Sequence, residues 1–338
     1  MTGAHEHTDI DGHVLSLDDA VQNLAGAVEG ILARLEALEA APEPTPDPDP
    51  TPEPEPDPPA PEPPPTGDGG SGTDEPSTDP NDYGLSSLTN RPTLQVRDGS
   101  IGLKGANRDK VNVVGGSGTD ADPWLVENME FRGEVRVEDG VWEFDTCNFK
   151  GNSWYGIRTT ASGRVKRISN SDFGEVKQAS IACGSVDVYN VRCDANAGDF
   201  IKVSGDVTVE RFYVRAAVGT DGKHKDCFQF DDGATGSLMA RNGVSIGTTP
   251  DGSHLGNSLV QSKADGVDVV LDNVVAQAAN YITNVQGTRS STTVIGGTYA
   301  PSLDGSRSGW TANTPFRAQD GATLSVSPET KIVDRLNL

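Results

Sequence analysis

The sequence predicts a mainly β protein, in which a short coiled-coil helix and a proline-rich linker precede a single-stranded parallel β-solenoid. Three observations support this prediction: a heptad pattern near the N-terminus, a run of alternating prolines, and a six-residue motif that recurs through the rest of the chain. The predicted segments are a flexible N-terminus (1–13), an oligomerisation helix (14–41), an extended linker (42–82), and the solenoid with a C-terminal cap (83–338).

The heptad pattern defines the predicted helix. Apolar residues separated alternately by three and four positions occupy its a and d sites, namely Val14, Leu17, Val21, Leu24, Val28, Ile31, Leu35 and Leu38. A helix with one narrow apolar stripe must bury that stripe, and this spacing is typical of coiled coils. The linker that follows disfavours packing on the solenoid, so we expect self-association. The pattern alone leaves dimer and trimer open.

The linker is defined by its composition. Residues 42–65 carry proline at nearly every second position, mostly separated by Glu and Asp. Proline removes backbone donors and favours an extended polyproline conformation, and the carboxylates repel one another. Such a segment reaches about 70 Å. Residues 67–82 are rich in Gly, Ser and Asp, as flexible segments are. We therefore expect an inert spacer.

A six-residue motif marks the coils of the predicted solenoid. It begins at Val126, Phe144, Ile168, Val188, Val209, Ala240, Leu271 and Ile295, at intervals of 18 to 31 residues. Its ends are mostly apolar and Asn is frequent at its third position, so equivalent side chains can stack in successive coils. Asn also tolerates left-handed backbone geometry and can hydrogen-bond its copy in the next coil. A β-sandwich is the alternative, although its strands would not repeat one motif.

A second recurring strand lies between successive motifs, separated from the next one by a corner that contains glycine. It begins at Tyr155, Ser180, Asp199, Asp226, Asn257 and Asn280. Strand alternation places Phe228 and Phe230 in the core, which leaves Gln229 and the corner residue Asp226 outside.

The same positions can be compared between coils. One coil before Asp226 and Gln229 they are occupied by Asp199 and Lys202, and one coil later by Asn257 and Val260. The two coils that follow Asp199 and Asp226 are the longest, so their extra residues are expected to form neighbouring loops.

Charge is distributed unevenly along the chain. Of the 50 acidic residues, 20 precede Tyr83, where Arg34 is the only base, which leaves 30 acids against 26 bases in the remainder. Nucleic acid and anionic membranes bind basic surfaces, so neither is expected as a partner. The chain has no apolar run long enough for membrane insertion. Its first eleven residues lack the basic start and apolar stretch of a secretory signal.

The four cysteines show no CxxC pair or other metal-binding spacing, so we expect buried free thiols at Cys147, Cys183, Cys193 and Cys227. Neither a metal nor a cofactor is predicted.

Two sequence features resemble a known fold family. The stretch Gly115-Gly-Ser-Gly-Thr-Asp-Ala-Asp-Pro-Trp124 with the first motif, Val126-Glu-Asn-Met-Glu-Phe131, resembles the opening of pectin-lyase-like right-handed parallel β-helix proteins. Leu271-Asp-Asn-Val-Val-Ala276 resembles their coils. The resemblance covers about residues 111–299. It implies the fold, but that fold hosts lyases, hydrolases and adhesins alike.

The combination of coiled coil, acidic proline linker and β-helix resembles minor tail proteins of phages that infect actinobacteria. The resemblance implies a homotrimeric tailspike or tail fibre that binds a host cell-surface polysaccharide or glycolipid. It also implies attachment to other virion tail proteins through the N-terminal region. Such a protein would be made in the host cytoplasm without a signal peptide and would act outside the cell on the virion.

One local motif points to a site. His224-Lys-Asp-Cys-Phe-Gln229 resembles an H-x-D-G-[IF]-Q signature of some β-helix proteins, with Cys227 where glycine is usual. Paired carboxylates suit glycoside hydrolysis, and a base with a cation suits a lyase. The candidate catalytic residues are Asp199, Asp226 and His224. The candidate ligand-binding residues are Lys202, Gln229, Asp231, His254, Asn257 and Trp310.

Three functions are compatible with these features. The first is a receptor-binding tail protein, and the second is a polysaccharide depolymerase that uses the same Asp and His residues. The third is a secreted bacterial carbohydrate-active protein, which the missing signal disfavours.

Overall fold

The computed structural model describes residues 76–84, 92–151, 153–160, 162–216, 226–247, 257–277, 280–302, 309–310 and 314–336. Strands comprise 57% and helices 4% of these residues. The predicted N-terminus, heptad helix and first part of the linker, with His224 and His254, lie outside the described residues. No helix among the described residues is long and apolar enough to cross a membrane.

The described strands form two sheets. Sheet A contains β1 (Gln95–Asp98), β3 (Val113–Gly115), β4 (Trp124–Glu127), β5 (Met129–Arg132), β7 (Val141–Asp145), β8 (Asn148–Phe149), β10 (Arg164–Phe173), β12 (Val186–Asn196), β14 (Val207–Ala216), β16 (Gly236–Ile246), β18 (Val267–Gln277), β20 (Ser291–Ile295), β21 (Thr298–Ala300), β23 (Thr323–Val326) and β24 (Lys331–Ile332). Sheet B contains β2 (Ile101–Leu103), β6 (Val135–Val137), β9 (Tyr155–Thr159), β11 (Ala179–Ala182), β13 (Asp199–Val203), β15 (Phe228–Phe230), β17 (Ser258–Ser262), β19 (Tyr281–Gln286) and β22 (Phe316–Gln319). Two short 3-10 helices span Pro80–Asp82 and Gly105–Lys110.

The chain alternates between the two sheets as it advances. Each strand of sheet B pairs in parallel with the sheet B strand of the next coil, and β10, β12, β14, β16 and β18 do the same in sheet A. Only β3 and β4 pair antiparallel among the described strands. Stacked parallel strands are consistent with the predicted β-helix solenoid and differ from the antiparallel sheets of a sandwich.

A continuous apolar core runs along the stacked coils. Successive phenylalanines pack ring to ring, with centroids 5.4 Å apart for Phe131 and Phe149, and 4.9 Å for Phe149 and Phe173. The stack continues through Phe200 to Phe228, which is fully buried. Phe230 is also buried, which confirms the predicted inward face of this strand.

The third residue of the recurring motif adopts the left-handed backbone conformation that the sequence predicts. We call these residues the turn ladder: Asn128, Thr146, Asn170, Asn190, Arg211, Asn242, Asn273 and Gly297, with φ between +48° and +83°. Asn190 donates to the Asn170 Oδ1 at 2.8 Å, and Asn273 donates to the Asn242 Oδ1 at 3.0 Å. The predicted asparagine contacts between coils are therefore confirmed for these pairs.

The chain after Pro315 forms the further coil that the sequence predicts. Strands β22, β23 and β24 pair in parallel with β19, β20 and β21 of the preceding coil. The outer positions of this coil remain open to solvent, since Leu324 is 39% and Ile332 is 45% exposed.

Residues on both sides of the predicted boundary between linker and solenoid, after position 82, contact the stacked coils. Tyr83 is 3% exposed and stacks against Tyr213 with ring centroids 6.3 Å apart. The Gly84 N–H donates to the Asn190 Oδ1, and Arg211 donates to the Asp82 carbonyl. The described residues 76–84 are therefore part of the solenoid unit rather than a segment standing clear of it.

Candidate ligand-binding face

The outward side of sheet B carries a row of coil-stacked side chains that we call the outer stripe. Strand register aligns its members in successive coils, and they are Arg136, Arg158, Ala182, Lys202, Gln229, Gln261, Asn284 and Arg317. Ala182 and Lys202 are aligned because the residues that precede them, Ile181 and Ile201, pair with each other. Strand spacing places successive members about 4.8 Å apart. All are half-buried except Asn284, which is 8% exposed.

A second row, which we call the acid ladder, lies at the beginning of the same strands and comprises Asp199, Asp226, Asn257 and Asn280. The Asp226 N–H donates to the Asp199 Oδ1 at 3.2 Å. The Asn257 amide donates to the Asp226 Oδ1 at 3.0 Å, and the Asn280 amide donates to the Asn257 Oδ1 at 2.7 Å. The acid ladder therefore ties four successive coils together.

Both carboxyl groups of the acid ladder are buried, with Asp199 5% and Asp226 0% exposed. Burial raises the pKa of Asp199 to about 6, although the charge of Lys202 opposes this effect. Burial and the negative charge of Asp199 raise the pKa of Asp226 to about 7, and the Asn257 hydrogen bond opposes them. The Asp226 Oδ2 makes no hydrogen bond within the described part of the chain. Burial and the neighbouring charge thus favour the protonated form of Asp226 more than they would for an exposed aspartate.

Lys202 connects the two rows. Its Nζ lies 2.7 Å from the Asp231 Oδ1, 3.6 Å from the Asp199 Oδ2 and 3.4 Å from the Gln229 Oε1. Burial lowers the pKa of Lys202, but the hydrogen bond to Asp231 and the charges of Asp199 and Asp231 outweigh burial and raise it. Lys202 therefore remains charged and its charge is compensated by carboxylates within the protein.

The structure brings together most of the predicted site residues. Asp199, Lys202, Asp226, Gln229, Asp231 and Asn257 form one connected cluster on strands β13, β15 and β17. Trp310 is half-buried and follows Gly309, where an added side chain would collide with Tyr281. Gly309 therefore lies beside Tyr281, and Trp310 follows it at the end of the outer stripe that is several coils away from Asp199.

Two expectations about this cluster are wrong. Asp226 does not face outward, because the ladder contacts hold its carboxyl group among buried residues. Val260 does not follow Gln229 in the outer stripe, because Val260 pairs with the buried Phe228 and Gln261 takes the outer position. The chain has one more residue between Asn257 and Val260 than between Asp226 and Phe228, which lets Asn257 keep its ladder position while Val260 enters the core.

Sequence reasoning missed Gln261, Asn284 and Arg317 as members of the outer stripe. Strand alternation counted from the buried residues would have identified them, because each of these three directly follows a buried residue in its strand. The four cysteines are buried and free, as predicted, and burial raises the pKa of Cys183 and Cys193 to about 12. No cluster of His, Cys, Asp or Glu suited to a metal ion occurs among the described residues.

A separate groove of about 980 Å³ lies on sheet A beside the turn ladder. Its lining includes Tyr83, Tyr189, Asn190, Arg211 and Asn242. Asn190 and Arg211 are already engaged by the backbone of residues 82–84, so much of the polar lining serves to hold that segment.

No family model, curated protein or solved structure matches the chain.

Proposed function

We propose that this chain is a homotrimeric phage tail appendage whose right-handed β-helix binds a host cell-surface polysaccharide or glycolipid through the outer stripe. The observation that carries this proposal is the outer stripe itself. It presents consecutive amide groups at Gln229 and Gln261 along the direction of coil stacking, and the Asn284 amide of the next coil donates to Gln261. Amide groups both donate to and accept from sugar hydroxyls, and a repeating row suits a repeating polymer.

Two further features support the proposal. Tyrosine rings at Tyr155 and Tyr281 flank the stripe, and half-buried aromatic rings are favourable contacts for ligand surfaces. The heptad and the resemblance to minor tail proteins favour trimerisation and attachment to other virion proteins through the N-terminal region. The protein would then be made in the host cytoplasm and act outside the cell on the virion.

The test uses the full chain on an array of bacterial surface polysaccharides. We expect Gln229→Ala with Gln261→Ala to weaken glycan binding at least about tenfold, because two hydrogen-bonding groups are lost. The matched control is Thr208→Ala with Met239→Ala, a pair on the outer side of sheet A in nearby coils. Equal loss in both variants, or no binding of the unmodified chain to any glycan, would contradict the proposal.

A polysaccharide depolymerase is the second candidate, and one observation favours it. The pKa values of Asp199 and Asp226 are raised to about 6 and about 7, which suits a general acid or base near neutral pH. The burial of both carboxyl groups opposes this candidate, because a sugar cannot contact them in the arrangement described. Release of reducing ends from a bound polysaccharide, abolished by Asp226→Asn with binding retained, would favour cleavage over binding alone.

A further inference from the structure

Two tyrosine–arginine pairs lie on sheet B. Tyr155 and Arg158 belong to one strand, β9, whereas Tyr281 and Arg317 belong to the neighbouring strands β19 and β22. The Arg158 guanidinium lies 5.3 Å from the centroid of the Tyr155 ring, and the Arg317 guanidinium lies 5.1 Å from that of Tyr281. Both arginines belong to the outer stripe, and the intervening coils separate them by about 29 Å. The chain therefore contains two tyrosine–arginine contacts whose arginines can be compared.

The two arginines differ in their anionic partners. The Arg158 Nε lies 2.8 Å from the Glu134 Oε1, so its charge is compensated within the protein. The Arg317 Nη1 instead donates to the neutral Tyr281 hydroxyl at 2.6 Å. Within the described part of the chain, Arg317 has no carboxylate at ion-pair distance.

The remaining bases of the outer stripe resemble Arg158 rather than Arg317. Arg136 lies 3.5 Å from a Glu138 carboxylate oxygen, and Lys202 contacts Asp199 and Asp231. Among the described bases of the stripe, Arg317 alone is thus left without an acidic neighbour, in a chain of net charge -23. An anionic group that reached Arg317 would form an ion pair without displacing a protein carboxylate.

The surroundings of Arg317 hold the guanidinium in place and supply further polar contacts. The Tyr281 ring and hydroxyl fix its orientation, which reduces the entropy lost on binding. Asn284 lies beside Arg317 in the strand register, and its amide donates to the Gln261 Oε1 at 3.0 Å. The Gln286 amide in turn donates to the Asn284 Oδ1 at 3.3 Å.

We infer that the end of the outer stripe formed by Arg317, Tyr281, Asn284 and Gln261 is an anion-binding subsite that selects glycans bearing carboxylate groups. A planar guanidinium donates two parallel hydrogen bonds to a carboxylate and forms an ion pair with it, and a neutral sugar cannot form that ion pair. The Gln261 amide, which Asn284 supports, would bind a hydroxyl group of the same sugar. This inference rests on the proposed glycan-binding function and names the chemical class of its ligand.

The experiment uses an array in which each acidic polysaccharide is present together with its carboxyl-reduced, neutral counterpart. We expect the full chain to bind acidic members and to lose about ten- to a hundredfold in affinity when the carboxyl groups are reduced. Arg317→Gln should cause the same loss on the acidic member and make the residual binding insensitive to carboxyl reduction. Arg241→Gln is the matched control and should bind like the unmodified chain, because Arg241 lies on sheet A, outside the outer stripe, and is already paired with Glu210.

A second measurement tests the subsite without a polymer. Phenylglyoxal modification of Arg317, followed by peptide mass spectrometry, should be slowed by sodium glucuronate and not by glucose, whereas modification of Arg158 should respond to neither. Binding that is unaffected by carboxyl reduction and by Arg317→Gln would overturn the inference and leave the proposed function intact. Protection of Arg317 with no polymer binding would support the anion subsite and overturn glycan recognition. Absence of both protection and binding would overturn both.

Discussion

The turn ladder and the acid ladder both run from coil to coil, and they differ in the chemistry of their side chains. The turn ladder consists mainly of asparagines, each of which can donate to one neighbour and accept from the other. The acid ladder contains two carboxylates, which accept but cannot donate when ionised. Asp199 therefore receives the Asp226 backbone N–H rather than a side-chain donor.

This difference shows which of the two rows serves stability and which can serve another role. A neutral row stabilises the coils in which its donors and acceptors are matched, as between Asn170 and Asn190 and between Asn242 and Asn273. A buried pair of carboxylates on adjacent coils costs stability when both are charged, and the raised pKa values of Asp199 and Asp226 reflect that cost. Four substitution or pH experiments test whether the two rows differ in this way.

The largest effect is expected in the turn ladder. Asn190→Val should lower the free energy of unfolding by about 3 kcal/mol, because a β-branched residue is strained at a φ of +52° and the bonds to Asn170 and Gly84 are lost. Denaturant unfolding of the full chain measures this loss. Asn190→Gly keeps the backbone conformation and loses only the bonds, so its loss should be smaller. Equal losses would show that the left-handed backbone contributes nothing.

The acid ladder should respond in the opposite direction. Asp226→Asn should raise the free energy of unfolding at pH 8 by about 2 kcal/mol. Removal of a buried charge whose pKa is raised to about 7 contributes about 4 kcal/mol, which burial of the new amide N–H partly offsets. Asp231→Asn removes a largely exposed carboxylate of the same cluster and should change stability by less than about 1 kcal/mol. A destabilised Asp226→Asn variant would show that the ionised carboxylate supports the coils.

The same ladder predicts a pH dependence. Folded pKa values of about 6 for Asp199 and about 7 for Asp226 exceed the ordinary value, so the folded chain binds protons more tightly than the unfolded chain. The contribution of these groups to stability is complete below about pH 4 and is lost as the pH rises through 6 and 7. The stability difference between Asp226→Asn and the unmodified chain should therefore shrink by more than about 1 kcal/mol between pH 8 and pH 5. A constant difference across this range would contradict burial of an ionisable pair.

The smallest effect is expected at Arg211, which interrupts the asparagines of the turn ladder. Arg211→Asn should raise the free energy of unfolding by less than about 1 kcal/mol, since Asn tolerates the φ of +55° better. Loss of the hydrogen bond from Arg211 to the Asp82 carbonyl opposes this gain. Arg211→Gly relieves the backbone without adding an amide, so a larger gain for Asn than for Gly would identify a new inter-coil bond. A loss with Asn would show that the Asp82 contact is the stronger effect.

The sequence by itself predicted the features that depend on local periodicity. The recurring motif located the coils, and its third residue identified the left-handed positions of the turn ladder, because backbone conformation and strand alternation depend on near neighbours in the chain. The same alternation correctly placed Phe228 and Phe230 in the core and paired Lys202 with Gln229. The heptad helix stays a prediction, since it lies outside the described residues.

Only the tertiary structure decided the features that depend on contacts between coils. Asp226 is buried because contacts with the neighbouring coils hold its carboxyl group. Gln261 follows Gln229 because the coils align by their apolar residues, not by counting from a shared corner. Tyr83 packs on Tyr213 although 130 residues separate them in sequence. Both Arg158 and Arg317 belong to the outer stripe, yet Arg158 lies beside the Glu134 carboxylate whereas Arg317 donates to the Tyr281 hydroxyl. Compensation of the Arg158 charge depends on Glu134, 24 residues earlier in the chain, and no local pattern encodes that contact.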